Sequence, residues 1–171
     1  SEGIGPGMFK DARSIAVDGA GRIYVGEYTG GRIHVFDPAG KFITQCMIGD
    51  RKTLLRGLAA DRKGIVYVVT GGNIRRYEGE TGNLLGQVTY EKSGFDDVAV
   101  AADGGLVAAW YINRDDIVRF DSSGNVVRTI REAISSASGD SELNTRVAVD
   151  GVGNIYALGT FNSAIFKFTP E

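Results

Sequence analysis

The stretch SIAVDGAGRIYVGEYTGGRIHVFDPAGKF, from Ser14 to Phe42, holds three short apolar bursts separated by glycine turns, and its pattern returns three more times before the chain ends. Self-similarity at such a period excludes most folds, because each unit must bury its apolar faces against its neighbours. The first bursts are Ile15-Ala16-Val17, Leu58-Ala59-Ala60, Val98-Ala99-Val100 and Val147-Ala148-Val149. Their central residues Ala16, Ala59, Ala99 and Ala148 recur at intervals of 43, 40 and 49 residues. A second burst follows each: Ile23-Tyr24-Val25, Val66-Tyr67-Val68, Leu106-Val107-Ala108 and Ile155-Tyr156-Ala157. A third follows that, beginning at Ile33, Ile74, Ile117 and Ile165. A fourth occurs only three times, beginning at Phe42, Leu84 and Val126.

The bursts are short and rich in Val, Ile, Tyr and Phe, with Gly, Asp and Asn between them, which is the pattern of strands and turns. No helical period is sustained; Arg131 to Ser138 has room for a turn or two of helix. The second burst is continuously apolar, so both faces of that strand are expected to be buried. Ile33 and Phe36 stand three apart in the third burst and so point to opposite faces. A four-stranded sheet buried on both faces and repeating every ~40–45 residues is a propeller blade. The predicted fold is therefore all-β: one domain of four propeller blades, each of four antiparallel strands, with repeats at about 13–48, 56–90, 96–131 and 145–171. The turns agree. Asp18-Gly19-Ala20-Gly21, Asp61-Arg62-Lys63-Gly64 and Asp150-Gly151-Val152-Gly153 join first strand to second, aspartate capping its own turn and glycine taking the positive φ.

Composition narrows the function classes. A chain of 171 residues, 43% hydrophobic and 23% charged, has the balance of one globular domain. Its 25 glycines stand against only three prolines and read as turn residues. A net charge of −2 provides no field to draw in nucleic acid or anionic lipid. Cys46 is the single cysteine, so no internal disulfide forms and secretion gains no support. No apolar run approaches the ~20 residues that span a bilayer. The opening SEGIGPGMF lacks the layout of a secretory leader, which is expected to be absent or already removed. No cofactor is predicted.

The residues IAVDGAGRIYV…GRIHVFDPAGKF resemble a repeat of the NHL β-propeller family, and the resemblance covers essentially the whole chain. The first repeat matches well and the second and fourth moderately. The third departs, with Ala101 at the place of the turn aspartate. The resemblance implies a closed ring of about six blades, and, as in some NHL-type propellers, RNA or protein binding on the loop face. Here the fourth repeat stops at Phe168-Thr169-Pro170-Glu171, before its outer strand, while SEGIGPGMFKDAR resembles a loop leading out of an outer strand. An arc of four blades exposes an apolar face at each end and leaves a sheet edge open to pairing. The chain is then a piece of a larger propeller, closes through a second copy, or closes by itself as a tight four-blade ring; the first two are favoured.

Propeller ligands are usually met by the loops entering the inner strands and those joining strands two and three. The first set places Arg13, Arg56, Asp96, Asp97 and Arg146 just ahead of or at the start of the inner strands. An arginine fork suits a carboxylate or phosphate; equally, these residues pair with one another as a ring of salt bridges. The second set carries Tyr28, Trp110, Tyr111 and Phe161, aromatics suited to a peptide or single-stranded nucleic acid. Without a dense basic stripe, RNA is disfavoured, and Trp110 serves as well to fill the gap between blades. His34, the single histidine, reads as a satisfied blade-edge residue. One histidine precludes a multi-histidine zinc site within this chain, so the activity of propeller amidating lyases is not carried over. A calcium cage would have to come from Asp96, Asp97, Asn113, Asn162 and Glu2, whose spacing matches no motif. No metal site and no catalytic residue is assigned. Cys46 reads as packing, and Glu132 to Asn144 as a polar, mobile insertion or contact loop. The leading expectation is a non-enzymatic binding or scaffold module for a protein, peptide or small anionic ligand. The alternatives are a metal-dependent propeller enzyme of the lactonase or lyase kind and a building block that self-associates.

Overall fold

A computed structural model describes residues 3, 5–50, 52–140, 142–161 and 163–171. The chain forms two compact units, Ser1–Val88 and Thr89–Glu171. The first contains two four-stranded antiparallel blades. Blade one is β1 (Ala12–Val17), β2 (Ile23–Glu27), β3 (Arg32–Phe36) and β4 (Phe42–Met47). Blade two is β5 (Leu55–Ala60), β6 (Ile65–Thr70), β7 (Asn73–Glu78) and β8 (Leu84–Gln87). Each sheet runs in sequence order, so every connection within a blade is a hairpin.

Strand alternation decides what the blades bury. Ala16 pairs with Tyr24 and Tyr24 with Val35, which puts all three on one face of blade one. That face, with Ile33, meets Leu58, Val66, Val68 and Tyr77 of blade two. Ile48, in the connector between the blades, lies in the same core, and its carbonyl accepts the Tyr77 hydroxyl at 3.3 Å.

The second unit contains β9 (Phe95–Val100), β10 (Leu106–Trp110), β11 (Asp116–Phe120) and β12 (Val126–Ile130), then the short helix α1 (Ser135–Ser138), then β13 (Arg146–Val149), β14 (Ile155–Leu158) and β15 (Phe166–Phe168). The last sheet has three strands among the described residues, matching the truncated fourth repeat. Val107 and Ile117 of the first blade here pack on Ile155 and Ala157 of the second, with Val147, Val149 and Phe166 at the margin.

The turns behave alike. The Asp18 carboxylate accepts the amides of Ala20 and Arg22 at 2.9 and 3.0 Å, Asp61 those of Lys63 and Ile65 at 2.8 and 2.9 Å, and Asp150 those of Val152 and Asn154 at 3.1 and 2.9 Å. At Ala101 the backbone turn survives without the side-chain cap: Gly104 N–H donates to the Ala101 carbonyl at 2.9 Å, and Asp103 takes the Gly105 amide instead. Gly21, Gly64, Gly104 and Gly153 each close their turn at φ between 80° and 92°, where a Cβ is strained.

Three expectations need correction. Burial of both faces of the second strand holds for β10, whose residues are all buried, and for Val66–Thr70 of β6, but β2 and β14 are mixed. The Glu132 to Asn144 segment is not an open loop throughout: Ala133, Ile134 and Ser135 are core residues. Asp115 holds them by accepting the Ile134 and Ser135 amides and the Ser135 hydroxyl, the last at 2.6 Å. His34 is buried but not satisfied, because neither ring nitrogen has a hydrogen-bond partner among the described residues.

Candidate functional site

In an antiparallel blade, the start of the first strand and the end of the second lie at the same sheet edge; Ala12 stands opposite Glu27. The loops singled out by sequence therefore meet within each unit. In the first, the Arg13 guanidinium lies over the Tyr28 ring at 4.0 Å from its centroid, and its Nε donates to Asp11 at 2.7 Å. The Arg13 side chain is 58% exposed, so this cation is oriented but reachable by solvent. Its tie to Asp11 raises the pKa above the ordinary arginine value. Arg56 is half-buried at the matching place on β5, and β5 runs beside β1.

Next to Tyr28 in the chain, the buried Glu27 pins Lys10 and Arg32 together. It accepts the Lys10 amide at 2.9 Å and a two-pronged contact from Arg32 at 2.6 and 2.7 Å. Burial by itself would raise the Glu27 carboxyl, but the Arg32 and Lys10 bonds outweigh it and hold the pKa below the usual carboxylate range. His34 Nε2 lies 4.0 Å from the same carboxylate, beyond hydrogen-bond reach, with the rings of Phe9 and Phe42 around it. Burial depresses its pKa more than Glu27 raises it.

In the second unit, the Asp97 carboxylate accepts the Val147 amide at 3.0 Å and lies 3.6 Å from Arg146. Burial raises the Asp97 pKa against these two contacts. Asp97 thus ties β9 to β13 and forms an ion pair with Arg146. Asp96 is buried. Tyr111 and Phe161 are exposed. Trp110 is not: it is buried against Tyr90, with ring centroids 5.0 Å apart, and its indole N–H donates to the Lys92 carbonyl at 3.2 Å. Its ring packs inside this unit and has no face open to solvent.

Sequence reasoning missed Glu142, which is buried in the loop before β13. Its Oε1 accepts the amides of Leu143 and Phe161 at 3.0 and 2.9 Å, while Oε2 has no hydrogen-bond partner among the described residues. No feature of the serine-rich EAISSASGDSELN run separates this glutamate from Glu132. Asn162 and Glu2 lie outside the described residues. Among the described residues no three His, Cys, Asp or Glu side chains gather as a metal site would require.

No family model matches the sequence, and no curated protein matches it. Solved structures do. Glutaminyl cyclase of Myxococcus xanthus is 21% identical, with a TM-score of 0.67 over 91% of this chain and 71% of that one. A streptogramin B lyase is 14% identical, with a TM-score of 0.62 over 91% of this chain; the chain spans 53% of the lyase's length. Both are propellers, and four successive antiparallel blades with radial sequence order give this chain the β-propeller fold.

Proposed function

We propose that the protein is a non-enzymatic binding module of the NHL type, which contacts a protein, peptide or small anionic ligand through its loop face. The observation that supports this reading most is Arg13 stacked on Tyr28, a cation held in place yet open to solvent on the edge where propeller loops meet. A stacked guanidinium loses little side-chain freedom when it engages a carboxylate or phosphate. Arg56, at the matching position of the next blade, extends the surface. Arg13 and Arg146 each have an acidic partner, Asp11 and Asp97, yet their side chains stay 58% and 50% exposed. An Arg13→Ala/Arg56→Ala double variant is expected to lose binding to an immobilised acidic peptide while melting like the wild type. Binding of that peptide unchanged by the double substitution overturns the reading.

A second reading, a metal-dependent propeller enzyme, draws on the enzyme names of both comparison structures and on the unpaired Oε2 of the buried Glu142. Calorimetric titration with calcium and with zinc tests it. Heat that disappears in Glu142→Gln supports this reading, and no heat with either ion ends it.

A further inference from the structure

The segment that enters β1 lies on blade one through contacts that converge on His34. The Phe9 ring meets His34 edge-on at 5.7 Å between centroids and Phe36 at 6.5 Å. The Lys10 amide donates to Glu27 Oε1 at 2.9 Å, and the Tyr28 amide donates to the Asp11 carbonyl at 2.8 Å. A β-bulge interrupts β1 between Ala12 and Ser14, so the segment parts from the regular ladder at Arg13. Residues 9–12 thus cover His34, and the hinge of that cover is the residue that lies over Tyr28.

The cover suits only a neutral ring. Both nitrogens of His34 lack a hydrogen-bond partner among the described residues, although the side chain is wholly buried. Glu27 on β2 and Arg32 on β3 are the charged groups that face it among those residues. β4 contributes Phe42 and, opposite His34, the uncharged Gln45, while Lys10 is exposed. Glu27 Oε1 lies 4.0 Å from His34 Nε2 and already accepts the Lys10 amide and Arg32. A proton on His34 would set two cations against one buried carboxylate and leave a charge uncompensated. To bond the imidazolium, Oε1 must turn from the Lys10 amide; without that bond the charge stays desolvated. Either way the segment loosens, and lifting it gives the ring to water.

We infer that His34 and Glu27 form an acid-sensitive latch, in which proton uptake by His34 releases residues 9–12 from blade one while the ladder from Ser14 onward stays paired. Once uncovered, the ring takes a proton near the ordinary value of about 6.5, whereas burial holds the covered ring lower. Below that pH the open form binds more protons than the closed one. The opening constant therefore rises as pH falls, approaching about tenfold per pH unit until the covered ring titrates too. Above that pH the latch is shut. Opening also unseats Arg13 from Tyr28; its effect on binding rests on the loop-face reading proposed above, and the latch itself does not.

Native-state hydrogen exchange followed by NMR tests this on the wild type and on His34→Phe. The Lys10 and Tyr28 amides are expected to exchange through a local opening, with protection lower than that of buried Val68 in β6 and insensitive to dilute urea. Between about pH 6 and pH 5 their protection is expected to fall severalfold in the wild type, up to about tenfold, and to stay level in His34→Phe. Unchanged protection in the wild type overturns the latch, and so does protection that yields only to urea-driven global unfolding. An equal fall in both proteins overturns the part given to His34. Titration of the His34 ring resonance in the wild type needs no variant: a ring that protonates near its ordinary value while Lys10 stays protected also overturns the proposal. The amide readout uses no ligand, so a failed latch and a failed acidic-peptide experiment are separate results.

Discussion

His34 sits where burial disfavours the charged form of its ring. Burial holds its pKa down, and the nearest acid, Glu27, is already committed to Arg32 and to the Lys10 amide. In the unfolded chain the same ring takes up a proton near the ordinary value of about 6.5. Below that pH the unfolded state binds more protons than the native one, so stability falls as pH falls. Thermal melts between neutral pH and about pH 5 are expected to show a falling Tm for the wild type and a flatter profile for His34→Phe. Equal slopes would show that the loss comes from elsewhere. Tyr24 and Asp18 form the other buried pair. Burial and then Asp18 push the tyrosine pKa up, while bonds from Arg22 and Tyr24 hold the aspartate down against burial. Asp18→Ala strands the Tyr24 hydroxyl and opens the turn, and is expected to cost about 3 kcal/mol in denaturant unfolding, against about 1 kcal/mol for Tyr24→Phe. A reversed order would mean the hydroxyl matters more than the turn.

The Asp-x-x-Gly turn is one device used repeatedly, and its surroundings decide what a change in it does. Gly19 and Gly151 occupy the same turn position, but only Gly19 meets a neighbouring backbone. Gly19→Ala must displace the Arg62 carbonyl and is expected to lower stability by about 2 kcal/mol. Gly151→Ala meets no atom and restricts the unfolded chain, so a gain of about 0.5 kcal/mol is expected. Parallel urea titrations of the two variants check this, and a loss at Gly151 comparable to that at Gly19 would contradict an open turn there. The Asp115 bonds to the start of α1 show the converse case, in which an irregular segment is fixed by one buried carboxylate.

Across the chain, which neighbour a blade packs on outweighs position in the repeat. Ile33 in β3 and Ile165, just ahead of β15, fill the same place in the repeat, yet one is core and the other surface. Ile33→Ala is expected to cost about 3 kcal/mol, and Ile165→Ala less than about 0.5 kcal/mol at dilutions where the chain is monomeric. Two similar losses in chemical unfolding would mean that the face carrying Ile165 is covered. The second strands differ likewise: β6 and β10 are almost wholly buried while β2 and β14 are mixed.

Strand identity, blade count and the short fourth sheet follow from local pattern, because alternation and turn chemistry act over a few residues and recur at every repeat. The pairing of entering loop with inter-strand loop follows too, since antiparallel hairpins fix which ends coincide; Arg13 over Tyr28 and Asp97 beside Arg146 are its products. What local pattern does not contain is which neighbour stands opposite. Nothing in GRIHVF marks His34 as unsatisfied, nothing in the polar run after Arg131 marks Ile134 or Glu142 as buried, and Trp110 reads equally as surface or core. Those outcomes depend on contacts between segments tens of residues apart, where burial removes water from a polar group and leaves it only the partners that packing happens to supply.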